Sequence, residues 1–146
     1  IRSRSESVRI GVHEVPEETD AIVVHDAARP LVSDEVIERV LAPLGADCDG
    51  AVPGLAVADT VKRAPGGVVV ETVDRSDLYL VQTPQAFRAG ALRAALATSD
   101  EDATDCAGSV ELAGGRVAVV PGDPALRKVT DADDLAAIEV LLQEAS

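Results

Sequence analysis

The apolar positions of the chain fall into two alternating periods. Val8, Val12 and Val15 recur at the spacing of a helix with one buried face, and Ser3 followed by Glu6 fits a capping box, which predicts a helix ending near Glu14. Residues 21–25 form a short apolar, β-branched run, the pattern of a buried strand. Ser33 is placed to cap a helix over residues 34–41, with acids in its first turn where the helix dipole favours them. Residues 49–53 read as another buried strand, "LYLVQTPQAF" as a strand ended by Pro84, and the Ala-rich residues 88–97 as a helix. Thr104 is placed to cap a helix running to Ala113, with Gly114 and Gly115 as its stop. "RVAVVPGDP" follows as a strand and a turn, and Lys128 with Val129 as a short extended piece. Thr130 with Asp133 predicts the cap of a last helix whose buried stripe is Leu135, Ile138 and Leu142.

One segment breaks the alternation. "VADTVKR" and "VVVETVDR" flank "APGG", two β-rich runs around a Pro-Gly-Gly turn, which predicts a β-hairpin within about residues 56–75. Its polar residues alternate with apolar ones and leave it little core to bury. Such a hairpin is marginal alone and is expected to pack on a partner as a dimerisation arm. The remainder, strands alternating with helices, predicts one α/β layered domain over residues 1–146, a mostly parallel sheet flanked by helices.

Composition narrows the function classes. Apolar residues are 47% of the 146, enough for a folded core, but Tyr79 and Phe87 are the only aromatics, so that core is built from Val, Leu, Ile and Ala. The formal net charge of −13 argues against nucleic acid as a partner, since a phosphate-gripping domain needs a basic face. It also makes any local cluster of Arg and Lys informative. Cys48 and Cys106 show neither metal-ligand spacing nor a disulfide framework, which points to a reduced, cytoplasmic setting. No apolar run approaches the ~20 residues needed to span a bilayer.

Candidate chemistry begins at "IVVHDAARP". Ligands of open α/β sheets bind beyond the carboxyl ends of strands, where Asp26 sits. A carboxylate there suits Mg²⁺, which takes one or two carboxylates plus substrate phosphates, and Arg29 suits a phosphate or a neighbouring acid. A structural turn, with His25 hydrogen-bonded and Arg29 in an ion pair, accounts for the same residues equally well. Thr60, Lys62 and Arg63 on one arm strand, with Thr72, Asp74 and Arg75 on the other, suit phosphate binding; a solvated edge strand is the simpler account. Arg127 and Lys128 directly precede a helix N-terminus that favours anions, although spacing alone favours an ordinary surface lysine. Thr83 is a turn residue by itself, and capping suffices for Thr104 and Asp105.

Taken in order, "RSESVRIG", "VHDAARP", "ADTVKR", "TVDRSDLYLVQTPQAF", "ATDCAGSVE" and "RKVTDADDL" resemble the 2-C-methyl-D-erythritol 4-phosphate cytidylyltransferases of the non-mevalonate isoprenoid pathway, from about Arg4 to Leu142. The resemblance implies a Rossmann-like nucleotidyltransferase fold with a protruding β-arm, and a homodimer whose arms complete each other's sites. It implies a reaction of CTP with methylerythritol phosphate that gives CDP-methylerythritol and pyrophosphate, with Mg²⁺. Residue by residue, Arg75 and Lys128 match the basic residues that position methylerythritol phosphate, and these are the implied catalytic groups. Thr60 and Thr83 match hydroxyl residues of the same pocket. Asp26 matches the acid near ribose, metal and sugar, Arg29 the arginine of its motif, and Ser7 a serine at the cytidine end. Dimer logic sends Thr60 and Arg75 into the neighbouring subunit's site.

The chain departs from the family pattern in three places. Family members begin with a strand and a Gly-rich loop whose Arg and Lys wrap the CTP phosphates, and these do not occur between Ile1 and Ser146. Ile1 and Arg2 stand where the family tends to have Gly and a small or acidic residue. Cys106 and Gly108 replace an acid and a Ser usual in that stretch. The expectation is therefore the C-terminal two-thirds of a cytidylyltransferase, which needs residues before Ile1 for turnover. The rival expectations are a cytidylyltransferase for another polyol phosphate, such as ribitol 5-phosphate, and a truncated, non-catalytic dimerisation or binding module.

Overall fold

The computed structural model describes residues 4–98 and 105–144; Ser3 and Thr104, assigned above to helix caps, lie outside them. Five strands form the main sheet: β1 (Ala21–Val24), β2 (Gly50–Ala56), β5 (Tyr79–Val81), β6 (Gln85–Arg88) and β7 (Val117–Pro121). β7 lies parallel to β2, while β6 inserts antiparallel between β1 and β2, and β5 pairs antiparallel with the far end of β2. β1, β2 and β7 thus run one way, as a layered α/β domain requires, and the antiparallel pairings come from β5 and β6.

That arrangement differs from a single strand stopped at Pro84. "LYLVQTPQAFR" makes two strands around a cis Thr83–Pro84 bond, and Gln82 to Phe87 are all buried. Proline cannot donate to a ladder, so it sits at the break between the two pairings. Arg88, expected to open a helix, is instead the last residue of β6, and α3 (Ala89–Thr98) starts directly after it.

Period-two alternation divides the core. Val52 and Phe87 face α1 (Arg4–Glu14), α3 and α4 (Cys106–Leu112), packing with Val12, Leu92, Ala95 and Val110. Their neighbours Ala51 and Ala86 face the other way, onto Val40 of α2 (Asp34–Leu41). Helices therefore cover both faces, with Ser33 capping α2 as expected. Phe87, the one aromatic inside, is fully buried, and Gly50 makes room for it: a Cβ on Gly50 would lie 2.5 Å from the Phe87 ring.

The arm is present, but its ladder is short. β3 (Val61–Arg63) pairs antiparallel with β4 (Glu71–Val73), and Gly66 and Gly67 supply the positive φ of the turn, 63° and 83°. Polar pairs cross it, Lys62 to Thr72 at 2.6 Å and Arg63 to Glu71 at 2.8 Å. Val68, Val69 and Val70 are 69%, 57% and 62% exposed.

The C-terminal helix α5 (Ala132–Glu144) departs from its predicted stripe. Ile138 is buried, but Leu135 and Leu142 are 51% and 49% exposed. Asp134, one turn before Ile138, takes the inward position because Thr130 and Arg127 hold its carboxylate, and this rotates the buried face. Asp131 accepts the capping hydrogen bond, from the Asp134 N–H at 2.9 Å, where Thr130 was the expected cap.

Removing the Phe87 ring leaves a cavity between the sheet and the layer of α1, α3 and α4. Phe87→Ala is expected to cost about 3–5 kcal/mol, measured by denaturant unfolding of the complete protein; a loss below about 1 kcal/mol would contradict this core assignment.

Candidate active site

β1 ends at Val24, and the chain turns at once through His25 and Asp26. Hydrogen bonds fix this turn. The Asp26 N–H donates to the Thr83 hydroxyl at 3.0 Å, and that hydroxyl is hydrogen-bonded to His25 Nδ1 at 3.1 Å. His25 Nε2 then donates to the Arg29 carbonyl at 2.8 Å, which places a proton on Nε2. His25 is a support for the strand end. Thr83, which the resemblance assigns to the substrate pocket, is 3% exposed, and its hydroxyl is engaged with Asp26 and His25.

A second set of bonds brings Lys128 alongside. Arg29 donates to the Leu126 carbonyl, and the Val129 N–H donates to the Ala28 carbonyl at 2.8 Å. The Gln82 side-chain amide pairs with the backbone N–H and carbonyl of Asp123, at 3.0 and 2.8 Å, and so anchors the short 3₁₀ turn Pro124–Leu126. On the far side, Asp134 accepts from Arg127 Nε at 2.6 Å and from the Thr130 N–H and hydroxyl at 3.0 and 2.6 Å. Residues 126–130 are thereby clamped from both ends.

The result is one carboxylate facing three cations. Asp26 Oδ1 lies 3.2 Å from Arg4 Nε, and Oδ2 lies 3.7 Å from Lys128 Nζ and 4.0 Å from Arg29 Nε. Three positive groups and one negative give the cluster a local charge of +2, within a chain of net −13. A carboxylate needs only one counter-ion, so the excess suits a bound anion. Lys128 is the most open of the four, its side chain 48% exposed against 20% for Asp26 and 14% for Arg29.

Of the residues named from sequence, the structure gathers Asp26, Arg29, Thr83 and Lys128. It leaves Thr60 and Arg75 exposed on and beside the arm, with the Arg75 guanidinium bonded to the Val57 carbonyl at 2.7 Å. Ser7 is exposed on α1, one turn beyond Arg4. Arg4 itself was missed. Its signal was available, since Arg4 and Ser7 share a helix face and an acid at a strand end calls for a counter-ion. Among the described residues, no group of three or more His, Cys, Asp or Glu is placed to hold a metal, and no helix is long and apolar enough to cross a membrane.

The model of the family IspD: 2-C-methyl-D-erythritol 4-phosphate cytidylyltransferase matches residues 2–144. The chain belongs to the IspD family. A Rubrobacter xylanophilus 2-C-methyl-D-erythritol 4-phosphate cytidylyltransferase is 43% identical over 144 residues, covering 96% of this chain and 62% of the relative. A Rhodospirillum rubrum bifunctional enzyme IspD/IspF is 46% identical over 142 residues, 96% of this chain and 37% of the relative. The crystal structure of the Thermus thermophilus 2-C-methyl-D-erythritol 4-phosphate cytidylyltransferase superposes with a TM-score of 0.83 at 34% identity, over 97% of this chain and 70% of that one. The chain thus spans between about a third and two-thirds of the length of these IspD relatives.

The clamp on Lys128 makes a pH prediction. Hydrogen bonds from the Thr130 hydroxyl and N–H, then from Arg127, hold the Asp134 carboxyl at about 2, below its ordinary 3.8. A depressed folded value means stability that is present above the ordinary value and lost as pH falls towards 2. Carboxyl chemical shifts should show Asp134 titrating near pH 2, and Asp134→Asn should flatten the loss of stability between pH 4 and 2. A midpoint near 4 would contradict the clamp.

Proposed function

We propose that this chain carries the sugar-phosphate side of an enzyme that transfers the cytidylyl group of CTP to 2-C-methyl-D-erythritol 4-phosphate, in isoprenoid precursor synthesis. The observation that carries the reading is the surplus of positive charge around Asp26, at the carboxyl end of β1, inside an IspD family match over residues 2–144. In the reaction a phosphate oxygen of methylerythritol phosphate forms a bond to the α-phosphorus of CTP. The bond from that phosphorus to its bridging oxygen breaks, and pyrophosphate leaves with the electron pair. No protein nucleophile is required, so the side chains act by positioning and by offsetting charge.

Lys128, open and 3.7 Å from Asp26, is the group that receives the substrate's phosphate. Arg29, pinned to Leu126, organises the shelf. Asp26 is the nearest carboxylate for ribose or metal, and Ser7 lies on the cytidine side. One carboxylate fits Mg²⁺ only where nucleotide phosphates complete its ligands; a bound Mg²⁺ there offsets triphosphate charge. Arg75 and Thr60 act from the arm of a second copy in a homodimer. This is supported by the arm's three-residue ladder and by the exposure of Val68, Val69 and Val70, each more than half open to solvent within one copy.

Arg75→Ala and Lys128→Ala in the complete protein should each lower turnover about 10²-fold or more while the circular dichroism spectrum is unchanged. Near-normal rates in either would refute the placement of the phosphate. Mixing the two variants tests the dimer. A heterodimer holds one doubly altered site and one intact site, so an equilibrated mixture should recover about a quarter of wild-type turnover. No recovery would place Arg75 and Lys128 of one copy in the same site.

A further inference from the structure

Arg4 has a second neighbour besides Asp26. Its Nη1 lies 3.9 Å from the sulfur of Cys106, so the guanidinium bridges the first residue of α4 and the turn after β1. The cysteine is firmly placed. Asp105 caps α4 by accepting from the Gly108 N–H at 2.8 Å, its other oxygen accepts from buried Gln85 at 2.9 Å, and Cys106 is itself buried. Burial pushes the Cys106 thiol above its ordinary range, although Arg4 draws it back, so near neutral pH it is an uncharged acceptor. An uncharged neighbour leaves the Arg4 charge to Asp26, whereas the acid usual in the family at this position would divide it.

The distances around Asp26 show what this does. Oδ1 is taken by Arg4 at 3.2 Å, and the Asp26 backbone is held by Thr83. Oδ2 stands 3.7 Å from Lys128, longer than a direct charge-assisted hydrogen bond. A carboxylate released at Oδ1 would have only Arg29, 4.0 Å from Oδ2 and itself pinned to Leu126, to restrain it, and would turn to close on the more open Lys128. It would then occupy the ammonium that the substrate's phosphate needs.

We propose that Arg4, seated by the Cys106 thiol, is a positioning residue that restrains Asp26 and so keeps Lys128 free for the phosphate of the sugar substrate. The proposal rests on the cytidylyltransferase reading for its substrate but not for its geometry. Lys62 and Lys128 are the only lysines of the sequence, which provides an internal reference. In the complete protein without substrate, trace acylation with acetic anhydride reads the reactivity of Lys128 relative to Lys62. Arg4→Ala and Arg4→Gln should slow Lys128 about threefold or more, because a closer carboxylate engages the amine in a direct ion pair. In steady-state assays the same variants should raise KM for methylerythritol phosphate about tenfold, the scale of one charge-assisted hydrogen bond, with kcat changed far less. Arg4→Lys should restore most of both readouts. Cys106→Asp, which offers Arg4 a competing carboxylate, should move both readouts in the direction of Arg4→Ala.

Unchanged Lys128 reactivity in Arg4→Gln, or a fall in kcat with KM unaltered, overturns the proposal. An unmoved KM and reactivity in Cys106→Asp overturns the part given to the thiol. If the wild-type protein does not turn over CTP with methylerythritol phosphate, the functional reading falls, and the acylation ratio still decides the role of Arg4.

Discussion

A half-buried carboxylate at the end of a strand cannot stand without a counter-charge; three parts of the chain supply it to Asp26, and a fourth holds its backbone. Arg4 arrives from α1 and Arg29 from the turn itself. Lys128 arrives from the segment before α5, and the Thr83 hydroxyl comes from beneath. Each partner is secured by a neighbour of its own: Arg4 by Cys106, Arg29 by Leu126, the Lys128 segment by Asp134 and Ala28, and Thr83 by His25. The network overcompensates, and the proposed phosphate site rests on that surplus positive charge.

The rest of the fold places those parts. Small residues let the sheet carry helices on both faces: Ala51 and Ala86 on the α2 side, and Gly50 beneath Phe87 on the other. This dense packing holds the ends of β1 and β6 in register, so that His25 and Thr83 meet at 3.1 Å. The arm follows a different rule. Its polar ladder and exposed valines have no core of their own, so its stability depends on what covers it.

Much of this was legible from residue order. Helices α1, α2 and α3, the first two strands and the Pro-Gly-Gly turn follow from periodicity and caps that act over a few residues. The break at Thr83–Pro84 was not legible, because the burial of Gln82 to Phe87 depends on β6 entering between two distant strands. The face of α5 was misread for a related reason. Its leucines carry the strongest local signal, yet Asp134 turns inward to meet Arg127 and Thr130. At the site, Asp26, Arg29 and Lys128 were named through the family resemblance, because type and spacing alone were equally met by a structural turn and a surface lysine; Arg4 is 22 residues from Asp26, and although its helix face was readable, which acid it pairs with is set by the fold.

The central claim is that the charge surplus at Asp26 serves a sugar phosphate in cytidylyl transfer. The most direct measurement is phosphorus NMR of the complete protein with CTP, Mg²⁺ and either methylerythritol phosphate or ribitol 5-phosphate. The account predicts equimolar pyrophosphate and CDP-methylerythritol with the first sugar and little product with the second. Product from ribitol 5-phosphate alone, or from neither, would contradict it.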